Sequence, residues 1–150
     1  MSYQRPWNSY RQISAHTASP GQLVLMLYDG ALRFLEKSLV GFEMDDPIEF
    51  NQTINNNLLR AQSIISELSS TLNLEQGGEL ARTLRRLYSY MDDRLMESNL
   101  AKTPEGIRDT LRRLTILRDA WQEMLQRRTV ESAHPSEARP LEVSSLCACG

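Results

Sequence analysis

With 150 residues the chain has the length of one ordinary domain, and its 19 acidic and 17 basic side chains leave a formal net charge of only −2. That balance supplies no field to draw in nucleic acid or an anionic membrane. The longest apolar run is far below the roughly 18–20 residues that span a bilayer, and the opening MSYQRPWNSYRQ has no secretory apolar stretch, so a cytoplasmic domain without membrane insertion is expected.

Residues 1–18 carry isolated apolar side chains, Trp7, Tyr10 and Ile13, without a long helical pattern, and read as a lid segment. The main domain is expected over residues 19–128. Its first helix opens at Ser19-Pro20 with Gln22 in third place. These are a capping hydroxyl, a residue with preset φ and an amide that can reach back. Leu23 to Tyr28 are then six apolar residues in a row, followed by Ala31, Leu32, Phe34 and Leu35. A surface helix needs one apolar stripe, so this helix must be covered around most of its circumference.

A second helix follows Asp46-Pro47, with Ile54, Leu58, Ala61, Ile65, Leu68 and Leu72 at alternating four and three spacing. The pair Gly77-Gly78 is expected to close it, because glycine accepts the left-handed geometry of a helix C-terminus. The third helix carries Leu80, Leu84, Leu87, Met91 and Leu95. Thr103-Pro104 opens the fourth, with Ile107, Leu111, Leu114, Leu117, Trp121 and Leu125. Segments of roughly 24–28 residues, about 36–42 Å each as helix, with short connections run antiparallel. The fold class is therefore all-α, an antiparallel up-down four-helix bundle. Residues 129–150 are rich in Ser, Ala, Pro and Glu and are expected to form a disordered tail. The only cysteines, Cys147 and Cys149, lie in that tail and cannot staple the fold.

Chemistry is sparse along this scaffold. A di-metal bundle needs inward glutamates and Glu-x-x-His motifs on facing helices. The one such string, Glu131 to His134, falls in the expected tail and is followed by Pro135, while the other histidine, His16, precedes the first helix. Cys147-x-Cys149 has no second pair to complete a tetrahedral site. Phosphate loops, nucleophile elbows and zincin motifs are missing from the sequence. Asp29 reads as a structural hydrogen-bonding group, and Tyr28, Tyr88 and Tyr90 as core or groove walls. The arginine doublets at 85–86, 112–113 and 127–128 read as solvated faces. No catalytic residue, metal ligand or cofactor is expected, so the chain does not read as an enzyme, and a metal-carrying bundle enzyme is the competing class.

A surplus of apolar side chains remains. Leu25, Tyr28, Leu32 and Leu39 form a second line on the first helix, Leu59 and Ile64 stand off the second seam, and Tyr88 and Tyr90 lie on the third helix. Either a skewed bundle uses wide seams, or these residues form grooves for a partner's helices or extended segments. In the second case Tyr10 and Ile13 act as a removable cover. The candidate partner-binding residues are Tyr10, Ile13, Leu25, Tyr28, Leu32, Leu59, Ile64, Tyr88 and Tyr90.

Several strings run in order along the chain: Tyr10, TASPGQLVLMLYDGA (17–31), NNNLLRAQSIISEL (55–68), GGELA (77–81), LYSYMDDRLMESN (87–99) and LRDAW (117–121). In these, over roughly residues 5–125, the sequence resembles the flagellin-specific export chaperones of the FliS family. The resemblance implies a cytoplasmic four-helix bundle that binds the disordered C-terminal segment of newly made flagellin. It also implies that the chaperone prevents early polymerisation and presents its client to an export-gate component of the flagellar type III apparatus. It further implies that the N-terminal segment covers a groove in the free state and that Tyr10 contributes to partner contact. An anti-sigma factor is a second client that the family adds and on which this sequence is silent. The alternative reading is a regulatory helical bundle that sequesters an anti-sigma or transcription factor. Asp92-Asp93 stands where relatives often carry a basic residue, and the Cys-containing tail lies outside the family pattern.

Overall fold

A computed structural model describes residues 18–133. It contains four helices, α1 (Pro20–Gly41), α2 (Pro47–Ser70), α3 (Leu74–Ala101) and α4 (Glu105–Ala133). Packing runs α1 on α2, α2 on α3, α3 on α4 and α4 back on α1, which closes the ring of an antiparallel up-down bundle. The all-α fold expected from periodicity is the one observed.

Local chemistry sets most helix starts. Ser19 Oγ accepts from the Gln22 amide at 3.2 Å while Gln22 Oε1 accepts from the Ser19 amide at 3.1 Å, a complete capping box ahead of Pro20. Asp46 Oδ2 accepts from the amides of Ile48 and Glu49 at 3.1 and 2.9 Å. The third start departs from expectation. Asn73 Oδ1 caps Glu75 and Gln76 at 3.2 and 3.1 Å, so α2 ends at Ser70 and α3 begins before the glycine pair. Gly78, with φ 56° and ψ −136°, then breaks the helical course inside α3. Glycine takes that conformation at little steric cost, so the expected break at the glycine pair is present, separating a first turn at residues 74–77 from the long part of α3, although α2 has already ended at Ser70. α4 also runs past the boundary expected at 128. Its last described turns are supported by Arg127 on Glu123 at 2.6 Å and by the Thr129 hydroxyl on the Leu125 carbonyl at 3.0 Å. It is helical to Ala133, two residues before Pro135.

The core lies along the bundle axis. Leu35, Ile54, Leu58, Ala61, Ile65, Leu68, Met91, Leu95, Ile107 and Leu114 are each at most 2% exposed. The four–three seam of α2 is thus the buried face of that helix. At the end formed by the α1–α2 and α3–α4 connections, small residues bring backbones together. A Cβ on Gly106 would lie 2.4 Å from the Arg94 carbonyl oxygen, and one on Gly41 would lie 2.9 Å from Ile54 Cγ1.

Candidate functional site

At the opposite end the helices leave an apolar groove of about 180 Å³. Val24 and Tyr28 of α1 form one wall, and Leu68 and Leu72 lie where α2 runs out. Leu80, Leu84 and Tyr88 of α3 face Leu117, Trp121 and Met124 of α4. These are heptad-stripe residues, brought here by the same periodicity that builds the core. At this end the stripe does not fill the space between the helices. Leu80, just past the Gly78 break, is 46% exposed at the groove.

Two ties hold the α1–α4 wall in place. The Trp121 indole Nε1 donates to the Gly21 carbonyl at 2.8 Å, in the first turn of α1. Arg118 Nε donates to Asp29 Oδ1, also at 2.8 Å, so Asp29 has the structural role expected of it. Leu25 and Leu32 stand one turn to either side of Asp29 on the same helix face, half-buried.

Polar groups within the groove are few. The Thr71 hydroxyl donates to the Leu68 carbonyl at 2.7 Å. Tyr28 and Tyr88, 4% and 3% exposed, meet hydroxyl to hydroxyl at 2.5 Å. They reach across the diagonal from α1 to α3. Burial pushes both phenols above their ordinary pKa; for Tyr88 the neighbouring Tyr28 adds to the rise. Each therefore keeps its proton at every physiological pH.

The remaining candidates lie elsewhere. Ile64 is 1% exposed, within contact range of α1 at Gly30; it is a core residue, not a groove wall. Leu59, 51% exposed, lies on the outer face of α2, between two bridges to α3. These are Asn99 Nδ2 to Asn55 Oδ1 at 2.9 Å and Gln62 Nε2 to Asp92 Oδ1 at 3.0 Å. Met96, 50% exposed, stands between the same two bridges on α3. Asp92 thus serves an inter-helix bond, while Asp93 is exposed.

Tyr90 points to the α3–α4 side. Its hydroxyl donates to Asp109 Oδ2 at 3.0 Å, and the Arg113 guanidinium lies 4.9 Å from the ring centroid. Tyr10 and Ile13 lie outside the described residues. The candidates therefore do not form one surface. Tyr28 and Tyr88 meet in the groove, while Leu25 and Leu32, Leu59, and Tyr90 occupy three other faces. By spacing Leu68, Leu80, Leu84, Leu117 and Trp121 belong to the core stripe, and nothing in the sequence marks them as groove walls.

Among the described residues no cluster of three His, Cys, Asp or Glu side chains is placed to hold a metal ion, and no helix is long and apolar enough to cross a membrane. The family model of the flagellar protein FliS matches residues 3–128. The flagellar secretion chaperone FliS of Bacillus subtilis is 37% identical over 126 residues, covering 84% of this chain and 90% of the relative. That of Salmonella typhimurium is 32% identical over 121 residues, 77% of this chain and 87% of the relative. That of Campylobacter jejuni is 32% identical over 124 residues, 83% and 94% respectively. These relatives are chaperones and not enzymes, in keeping with a site that is apolar.

Proposed function

We propose, from the premise that this chain belongs to the FliS family of flagellar proteins and is a flagellar export chaperone, that its client is the C-terminal segment of newly made flagellin. In this reading the protein works in the cytoplasm, masks that segment against premature polymerisation and hands it to a component of the flagellar type III export gate. The observation that carries the reading is the groove, an apolar opening at one end of the bundle. A filament-forming segment with an exposed apolar face self-associates unless that face is covered.

Magnitudes limit what the groove can do alone. An apolar void of about 150 Å³ admits a molecule the size of benzene, so this groove takes one large side chain rather than a whole helix. Burying one such side chain contributes about 1.5–3 kcal/mol, whereas ordering a disordered client costs about 2–5 kcal/mol. The client must therefore touch more than the groove. The half-exposed Leu59 and Met96 on the α2–α3 face and the half-buried Leu25 and Leu32 are the further contacts we propose. Client-free, the groove is covered by the segment that precedes Ser19. Tyr10 and Ile13, which lie outside the described residues, are the side chains this reading assigns to that cover.

Calorimetric titration with a peptide of the flagellin C-terminal region tests this. Stoichiometric binding with a negative heat-capacity change is expected, the mark of apolar burial. A fully helical protein that shows no heat with the peptide at any concentration up to millimolar would remove flagellin as the client.

A further inference from the structure

The Tyr28–Tyr88 contact leaves a proton unused. Both phenols are neutral, so the pair owns two hydroxyl protons, but only one of them can lie between the two oxygens. Among the described residues no other acceptor bonds either hydroxyl, and the groove around them is lined almost wholly by carbon. Thr71, the other hydroxyl there, already donates to its own helix.

We propose that this spare hydroxyl makes the tyrosine pair a specificity element: it requires a hydrogen-bond acceptor on the client segment that enters the groove. The inference rests on the chaperone reading above and specifies the chemistry of its client. A purely apolar insert would dry the hydroxyl without replacing its hydrogen bond, a penalty that weakens binding about 5- to 150-fold. An insert that carries an acceptor turns the same group into an anchor. A carboxylate does not suit, since burying a charge against carbon is costly. Backbone carbonyls within a regular helix are already engaged. The acceptor is therefore an Asn or Gln side-chain oxygen, or the carbonyl of a residue where the client leaves its helix, set beside one large apolar side chain.

The test compares the full-length protein with its Tyr28→Phe/Tyr88→Phe variant, titrated with the flagellin C-terminal peptide and, separately, with the hydrocarbon dye azulene, which carries no hydrogen-bond acceptor. The variant is expected to lose about 5- to 100-fold in peptide affinity while holding the dye as tightly as before or more so. Unchanged or tighter peptide binding would overturn the proposal, since the hydroxyl would then have no acceptor to lose. Parallel weakening of peptide and dye would overturn it too, because the pair would then merely prop the groove open. If the double variant is not folded, Tyr88→Phe alone is read against the same two probes. Absence of peptide binding by the unaltered protein would sink the flagellin reading itself, whereas unaltered binding by the double variant sinks only the specificity element.

Discussion

At one end of the bundle Gly41, Ser98, Gly106 and Thr110 are all buried, and Phe42 meets Phe50 edge to face at 5.5 Å beside the α1–α2 connection. At the other end Leu72, Leu80, Leu84 and Trp121 surround open space. There α1 and α4 are tied by the Trp121–Gly21 bond, and α2 is joined to α3 through residues 71–73. Both ends are built on the same heptad-like repeat, so hydrophobic patterning does not account for the difference. What differs is side-chain volume at the contacts, which sets the distance between helix axes. At Gly41 and Gly106 the missing side chain lets neighbouring helices meet, whereas Leu80, Leu84 and Trp121 stand around the groove. A chaperone that must open at one place without loosening elsewhere can use one solid end to position the walls of the other.

The comparison is tested most severely in the solid end. Ile54 is fully buried and in contact range of Gly41, so Ile54→Ala is expected to lower the unfolding free energy by about 2–5 kcal/mol in urea. A loss below about 1 kcal/mol would mean that this end collapses around the cavity and is no more rigid than the groove. Gly106→Ala approaches the same point by addition. Its new Cβ would sit 2.4 Å from a backbone oxygen of α3, which does not move as a side-chain tip does. We expect a loss of about 2–3 kcal/mol by the same measurement. An unchanged unfolding midpoint would show that α3 and α4 can part freely, and the contrast between the ends would be gone.

Between the ends, the α3–α4 side carries an electrostatic tie. Burial works to raise the Asp109 pKa, but hydrogen bonds from Tyr90 and Arg113 and the charges of Arg113 and Arg112 outweigh it and hold the carboxyl below its ordinary value. A depressed folded pKa stabilises the fold above the unfolded value near 4, and that contribution is lost as pH falls through the folded pKa. Thermal melts should therefore show the unaltered protein losing more stability between pH 5 and pH 3 than Asp109→Asn does. Parallel curves would mean that the carboxylate is fully solvated and that α3 and α4 are joined here by apolar packing alone.

Much of this architecture was legible in the sequence, because it rests on local chemistry. Ser19, Asp46 and their prolines mark helix starts through bonds to amides two or three residues away, and the stripe of α2 names its buried face. Asn73 was overlooked because Gly77-Gly78 is the louder punctuation, although a kink needs a glycine as much as an ending does. Ile64 was placed off the seam because a four–three pattern admits only one of two adjacent isoleucines. Both are buried, Ile64 where α1 passes close at Gly30. The groove itself could not be read, since periodicity reports which face of a helix is buried and not how far away the facing helix stands. Leu84 and Trp121 look the same in sequence whether they fill a core or line an opening. The pairing of Tyr28 with Tyr88, sixty residues apart, was equally out of reach, because nothing local to either residue specifies the other.

The smallest expected effect on stability is also the sharpest test of the open end. Leu80 belongs by spacing to the core stripe, yet it is 46% exposed. If it is a groove wall, Leu80→Ala removes only half of a leucine's burial from the free protein, and the unfolding free energy should fall by no more than about 1 kcal/mol. The same change removes apolar surface from the bound state, where a client side chain covers it. Losing half of a leucine's burial, about 1 kcal/mol, corresponds to roughly a fivefold drop in affinity for the flagellin peptide. A core residue would show the reverse, with stability falling by 2 kcal/mol or more and affinity following only as folded protein is lost. Measuring both quantities on one variant therefore decides whether the last turn of the stripe serves the fold or the client.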